Sequence, residues 1–166
     1  MNKYTPIKRH PAIVSFSRDH HFGLLLVWKI RQGLVKDVSP ARISQYIIYC
    51  FKEDLEKHFR EEENFLFNKL PEDDSMRKDA EADHQTIRNL VAAIVQNNNK
   101  VDLLRQFADA LEKHIRFEER SLFNHLQDTL GEKELIEIEQ RLSNDNKDVD
   151  AKWLDTFWES SKGKSL

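Results

Sequence analysis

The chain has 166 residues with 26 Lys and Arg against 29 Asp and Glu, a net charge of -3, and 39% hydrophobic residues. That length suits one domain, 1–166, with a real core, and the mixed charge signs exclude the basic footprint of a nucleic-acid binder; the stretch Ile7-Lys8-Arg9-His10 is too short to change this. Gly and Pro number four each, so turns are few and long amphipathic helices are favoured over many short strands.

The first helical pattern runs from Pro11 to about Val35, with Phe16, Leu24, Val27, Ile30 and Leu34 at three- and four-residue steps and Gly33 helping it to stop. Its longest apolar stretch, Leu24 to Trp28, falls far short of the ~20 residues that span a bilayer, and no leader pattern precedes it. A soluble, cytoplasmic protein without a membrane partner is the expectation. Ser39 and Pro40 form a start signal for a second helix reaching about Lys69. Its inward series is Ile43, Ile47, Cys50 or Phe51, Leu55, His58, Glu62, Phe65 and Lys69. Cys50 is the only cysteine, which excludes an internal disulfide and a thiolate metal site, and it reads as a small buried side chain.

A third helix is expected from about Ser75 to Gln96, with His84, Ile87, Val91, Ile94 and Val95 inward. Asn97-Asn98-Asn99 is a turn signal. The fourth helix starts near Val101 and ends before Gly131, lined by Leu104, Phe107, Leu111, His114, Glu118, Leu122 and His125 or Leu126. Beyond it, Glu132 to Leu142 reads as a short helix, Ser143 to Asp150 as a polar loop, and Trp153, Phe157 and Trp158 as a last amphipathic turn docking on the bundle before a frayed Ser160–Leu166 end. The fold class expected is all-α: an up-down-up-down antiparallel four-helix bundle over about 11–130, with a short C-terminal helical extension over about 131–160.

Two segments can be laid over each other. His58-Phe59-Arg60-Glu61-Glu62-Glu63 matches His114-Ile115-Arg116-Phe117-Glu118-Glu119, and Leu66-Phe67-Asn68 matches Leu122-Phe123-Asn124 at the same spacing. Asp19-His20 and Asp83-His84 repeat on the preceding helices. Residues i and i+4 stand one above the other on a helix face. His58 with Glu62, and His114 with Glu118, therefore point the same way, on the apolar stripe. A lone inward His is more often a satisfied core residue, and a His–Glu pair at this spacing is often only a surface pair. Two such pairs in matching inward places, each preceded by a matching Asp-His, outweigh that reading. A buried carboxylate needs a partner or a metal. His20, His58, Glu62, His84, His114 and Glu118 form an imidazole–carboxylate set that suits Fe or Mn ahead of Zn, and is large enough for two carboxylate-bridged ions. Glu61, Glu63 and Glu119 read as solvated or supporting groups.

These residues resemble the hemerythrin-like, or His-His-Glu cation-binding, family over roughly 10 to 130. The resemblance implies a non-haem centre of two Fe ions bridged by the two carboxylates and an oxo or hydroxo ligand. Two departures stand out. Oxygen-carrying hemerythrins bear a second histidine four before the one matching His84, where this chain has Ala80. Their fourth-helix carboxylate lies five residues after its His, at Glu119 here, whereas the internal repeat selects Glu118. The extra ligands open to this chain are His21, Glu119 and His10; His125 lies roughly 16 Å along the helix from His114.

The function expected is a di-iron protein that binds, senses or carries O₂ or NO, or holds iron. A di-iron enzyme (peroxidase, oxidase or NO reductase) is the competing class, and an interaction bundle with a zinc or empty site the third. The paired Glu-x-x-His segments of ferritin-like oxidases are missing from the expected core, which counts against that kind of enzyme.

Overall fold

A computed structural model of the protein describes residues 8–142 and 148–159. Among these residues every regular element is helical. Helix α1 spans Pro11–Val35, α2 Pro40–Cys50, α3 Glu56–Phe65, α4 Ser75–Gln96, α5 Val101–Phe117, α6 Phe123–Thr129 and α7 Glu132–Arg141. Short 3₁₀ turns cover Phe67–Lys69 and Val149–Lys152. Of the expected loop at 143–150, residues 143–147 lie outside the described residues, as does the expected frayed end at 160–166, while Val149 and Asp150 open a 3₁₀ turn.

The second and fourth long helices are each interrupted by a π-helical turn, Phe51–Leu55 between α2 and α3 and Glu118–Leu122 between α5 and α6. Backbone angles stay right-handed helical at the junctions, so neither helix breaks. A π turn adds one residue to the helical repeat and rotates the following face. The buried series steps by five from Cys50 to Leu55, while after Glu118 both Leu122 and Phe123 are buried. Of the two pairs of alternatives in the sequence, Cys50 and Leu126 are the buried members.

The apolar core falls into two clusters with a polar layer between them. One contains Leu26, Val27, Ile30, Leu55, Phe59, Ile87, Val91, Leu111 and Ile115; the other contains Ile13, Phe16, Leu66, Phe67, Ala80, Leu122, Phe123 and Leu126. In chain order α1 passes from the second cluster to the first, α2 and α3 from the first to the second, α4 back again, and α5 and α6 return. Helices α1 to α6 take the chain through the middle layer four times, once at each of His20, His58–Glu62, His84 and His114–Glu118. Helix α1 packs along α5, and α4 along α5.

Helix starts and stops follow local chemistry, with corrections to the sequence reading. Asp74 caps α4 by accepting from the Arg77 N–H at 3.0 Å. Ser39 precedes Pro40 as expected but its side chain makes no cap bond. Helix α1 stops at Asp37, whose φ of 56° is left-handed and lets the Val38 N–H reach the Gly33 carbonyl at 2.9 Å. Gly33 is thus not the stop signal: a Cβ there would lie 2.8 Å from the Phe157 ring and 2.9 Å from Ile43 Cδ1. Val95 is 53% exposed and does not belong to the inner face.

The C-terminal extension is helical only in part. After the Val149–Lys152 turn, residues 153–156 are irregular and 157–159 form a turn. Phe157 and Trp158 are buried and pack on Tyr46. So short a segment cannot sustain a helix by itself; side-chain anchors hold it instead. Lys29 is buried, pairs with Asp150 and stands 4.2 Å from the Trp158 ring centre. Tyr49 donates to the Val149 carbonyl at 2.7 Å, and Arg42 forms a two-pronged pair with Asp155 at 2.6 and 2.9 Å.

Gly33→Ala is expected to destabilise the protein. Crowding of Phe157 costs about 1–3 kcal/mol against a helix-propensity gain of about 1 kcal/mol. A net loss of about 1 kcal/mol lowers the melting temperature by roughly 2–4 °C, readable by circular dichroism.

Candidate metal centre

The polar middle layer is built from one inward side chain on each of α1 and α4 and an i,i+4 pair on each of the other two long helices. His20, His58, Glu62, His84, His114 and Glu118 are all buried, Glu62, His84 and Glu118 completely. They fall into two groups of four. Donor atoms of His20, His58, Glu62 and Glu118 lie within 4.8 Å of one another, and so do those of Glu62, His84, His114 and Glu118. The two carboxylates belong to both groups.

Within the layer the donor atoms are close but do not satisfy one another. His20 Nε2 is 2.8 Å from Glu118 Oε2, His58 Nε2 is 2.9 Å from Glu62 Oε1, and His114 Nε2 is 2.6 Å from Glu118 Oε1. None of these contacts has hydrogen-bond alignment. Both oxygens of Glu62, both of Glu118, and Nε2 of His20 and His58 are buried without a hydrogen-bond partner. His84 Nε2 and His114 Nε2 face each other at 2.9 Å. Unpartnered buried polar atoms are costly, and six of them aimed into one layer fit cations that would take their lone pairs. The donor set, imidazole and carboxylate without sulfur, suits that use.

The outer nitrogen of every imidazole meets a carboxylate. His20 Nδ1 lies 2.6 Å from Glu119, His58 Nδ1 3.1 Å from Asp19, His84 Nδ1 2.9 Å from Glu63, and His114 Nδ1 3.1 Å from Asp83. An Nδ1–H donated to a carboxylate fixes the ring and leaves Nε2 as the free lone pair. Asp19 and Asp83 were legible as a repeat but carried no assigned role; the Asp-His dipeptides supply both an inward imidazole and an orienting carboxylate. The aromatic rings act with them: Phe59 stacks on His84 at 4.0 Å and Phe123 on His20 at 5.3 Å.

Electrostatics follow from this crowding. Burial alone disfavours the charged form of His20, but the adjacent carboxylates of Glu118 and Glu119 outweigh it and raise the imidazole to about 9. His84, buried likewise, is raised to about 10 by Glu118, Glu62 and Glu63. Burial opposes ionisation of Glu118 too, yet His114 and its other neighbours hold it well below the ordinary carboxylate range.

The remaining ligand candidates lie elsewhere. His21 is exposed on the outer face of α1. His10 sits at the N-terminus of α1, accepting from the Ala12 N–H at 3.1 Å and pairing with Glu132 of α7 at 3.0 Å. Glu119 stands behind His20, on the nitrogen turned away from the layer. Ala80 is buried in the second apolar cluster. His125 bonds Asp74 at 2.6 Å and ties α6 to the start of α4.

No helix among the described residues is long and apolar enough to cross a membrane. No curated protein and no solved structure matches the chain. The pattern of the hemerythrin HHE cation-binding domain matches residues 17–155, which takes in all six residues of the polar layer, and the chain belongs to that family.

Proposed function

We propose that the protein holds two iron ions in the polar layer and uses them to bind a small diatomic ligand such as O₂ or NO. The observation that carries this reading is the pair of four-donor groups sharing Glu62 and Glu118. His20 and His58 would hold one ion, His84 and His114 the other, and the two carboxylates would bridge them. Bound there, the ions supply redox chemistry and open positions, because four protein donors each leave room for a small ligand. The protein's part is to orient the imidazoles through Asp19, Glu63, Asp83 and Glu119, and to keep bulk water out with the apolar clusters on either side. The alternating passage of the helices between those clusters supports an up-down-up-down antiparallel bundle as the frame. The same open positions favour a second reading, an enzyme that activates peroxide or reduces NO.

Metal analysis of the purified protein together with its near-ultraviolet spectrum tests the reading. Two irons per chain with bridged di-iron absorption are expected; one zinc, or no metal after anaerobic preparation, sinks it. Turnover of H₂O₂ or NO by the iron-loaded protein would favour the enzyme over the carrier.

Glu62→Ala and Glu118→Ala should each bind no more than one ion per chain. Full two-ion occupancy in either variant would contradict the bridging role.

Iron uptake should release protons and strengthen as pH rises. His20 and His84 are raised to about 9 and 10 in the metal-free protein, so both are protonated at pH 7 and must become neutral to ligate. The measurement is calorimetric titration of iron(II) in buffers of different ionisation heat. Release of fewer than two protons per chain at pH 7 would contradict it.

A further inference from the structure

Two arginines stand behind the polar layer in matching positions. Arg88 of α4 bonds Glu63 with both terminal nitrogens, at 2.7 and 3.2 Å, and its Nε donates to Glu56 at 3.0 Å. Glu63 in turn holds His84. Arg88 also lies over the face of Phe59, 5.7 Å from the ring centre, and Phe59 is the ring stacked on His84. On the other side of the bundle, Arg9 bonds Glu119 at 2.9 Å and also donates to its carbonyl. Glu119 holds His20, and Arg9 lies 5.3 Å from the centre of Phe123, the ring stacked on His20. Each assembly is the same four-part unit: guanidinium, carboxylate, imidazole and a phenyl ring between the first and the last.

The units differ in origin. Glu63 and Glu119 are matched by the internal repeat, but the rings are not, since Phe59 aligns with Ile115 and Phe123 with Phe67, and neither are the arginines. Arg88 lies four residues after His84, whereas Arg9 lies eleven residues before His20 and outside the span that the family pattern matches. The basic stretch Lys8-Arg9-His10, too short for a nucleic-acid site, is anchored here: His10 caps α1 and pairs with Glu132, and Arg9 turns to Glu119. Both arginine side chains are 24% exposed, and their carboxylate partners 29% and 27%. By contrast Asp19, which holds His58, is 49% exposed.

We propose that Arg9 and Arg88 are positioning residues that set the reduction potential of the metal pair, Arg9 acting through Glu119 and His20 on one ion and Arg88 through Glu63 and His84 on the other. This rests on the di-iron reading above. An ionised carboxylate behind a ligating imidazole makes it a stronger electron donor and favours the oxidised ion. A guanidinium on that carboxylate offsets its charge and repels the extra positive charge of the oxidised ion, weakly if solvated and more so when partly buried. Each ion would then have one histidine restrained by an arginine and one backed by a more exposed aspartate.

The test is the midpoint potential of the iron-loaded full chain, by spectroelectrochemistry, for wild type, Arg9→Gln, Arg88→Gln, Arg88→Lys and Arg42→Gln. Arg42 pairs with Asp155 away from the layer and controls for net charge. Arg9→Gln and Arg88→Gln should keep two irons and shift the oxidised-to-reduced ratio at least tenfold toward the oxidised form, a fall of about 59 mV for a one-electron couple. Arg88→Lys, which keeps the charge but not the fork, should shift less than Arg88→Gln, and Arg42→Gln should match wild type. Iron lost from Arg88→Gln but restored in Arg88→Lys, with the helix content of both intact, would also support the relay. Two irons with unchanged potentials in both glutamine variants, or an equal shift in Arg42→Gln, overturn it. A wild-type chain that takes up no iron pair overturns the di-iron reading and the relay with it.

Discussion

Two carboxylates completely buried in the middle of a helical bundle are the constraint around which the structure is arranged. Glu62 and Glu118 have no exposure and no hydrogen-bond partner. Isolated ionised groups in such a place would cost more than a typical domain has in total stability. The protein surrounds them with four imidazoles, and these are held by four further carboxylates nearer the surface. Charge is therefore graded outward, from anionic centre through imidazole to anionic rim, and in two places on to guanidinium. The apolar clusters above and below close the layer against water.

The orienting contacts form a closed ring around the bundle. Asp19 on α1 holds His58 on α3, Glu63 on α3 holds His84 on α4, Asp83 on α4 holds His114 on α5, and Glu119 just beyond α5 holds His20 on α1. Each helix thus gives an imidazole to the centre and a carboxylate to its neighbour. The approximate repeat makes this economical, since an Asp-His and a His-x-x-x-Glu-Glu supply both halves of each contact. A shift of one helix along its axis would break two contacts of the ring at once, which ties helix packing to the geometry of the centre.

The π turns show where the repeat gives way to packing. One precedes His58 by three residues and the other begins at Glu118, so they occupy different places in two otherwise matching segments. Both lie next to the polar layer, where the side chains must face a point and the flanking cores must also be filled. After the first, the buried series steps by five, from Cys50 to Leu55; at the second, Leu122 and Phe123 are both buried after Glu118. The second brings Phe123 under His20.

The sequence by itself determined the helices, their number and most of their ends, because periodicity, Pro40, Asp74 and the asparagine run act locally. It also determined which six side chains would share the middle layer, because i,i+4 spacing on an apolar stripe leaves a His–Glu pair no other direction. The five-residue step was present as the ambiguity between Cys50 and Phe51, but a three-or-four rule could not read it. Only the tertiary structure decided which carboxylate backs which imidazole, that Arg9 and Arg88 stand behind Glu119 and Glu63, and that Lys29 draws Asp150 and the C-terminal aromatics onto the bundle. Those contacts join residues 21 (Glu63 and His84) to 129 (Lys29 and Trp158) positions apart. Most depend on how whole helices are rotated and set against one another, which no local pattern encodes.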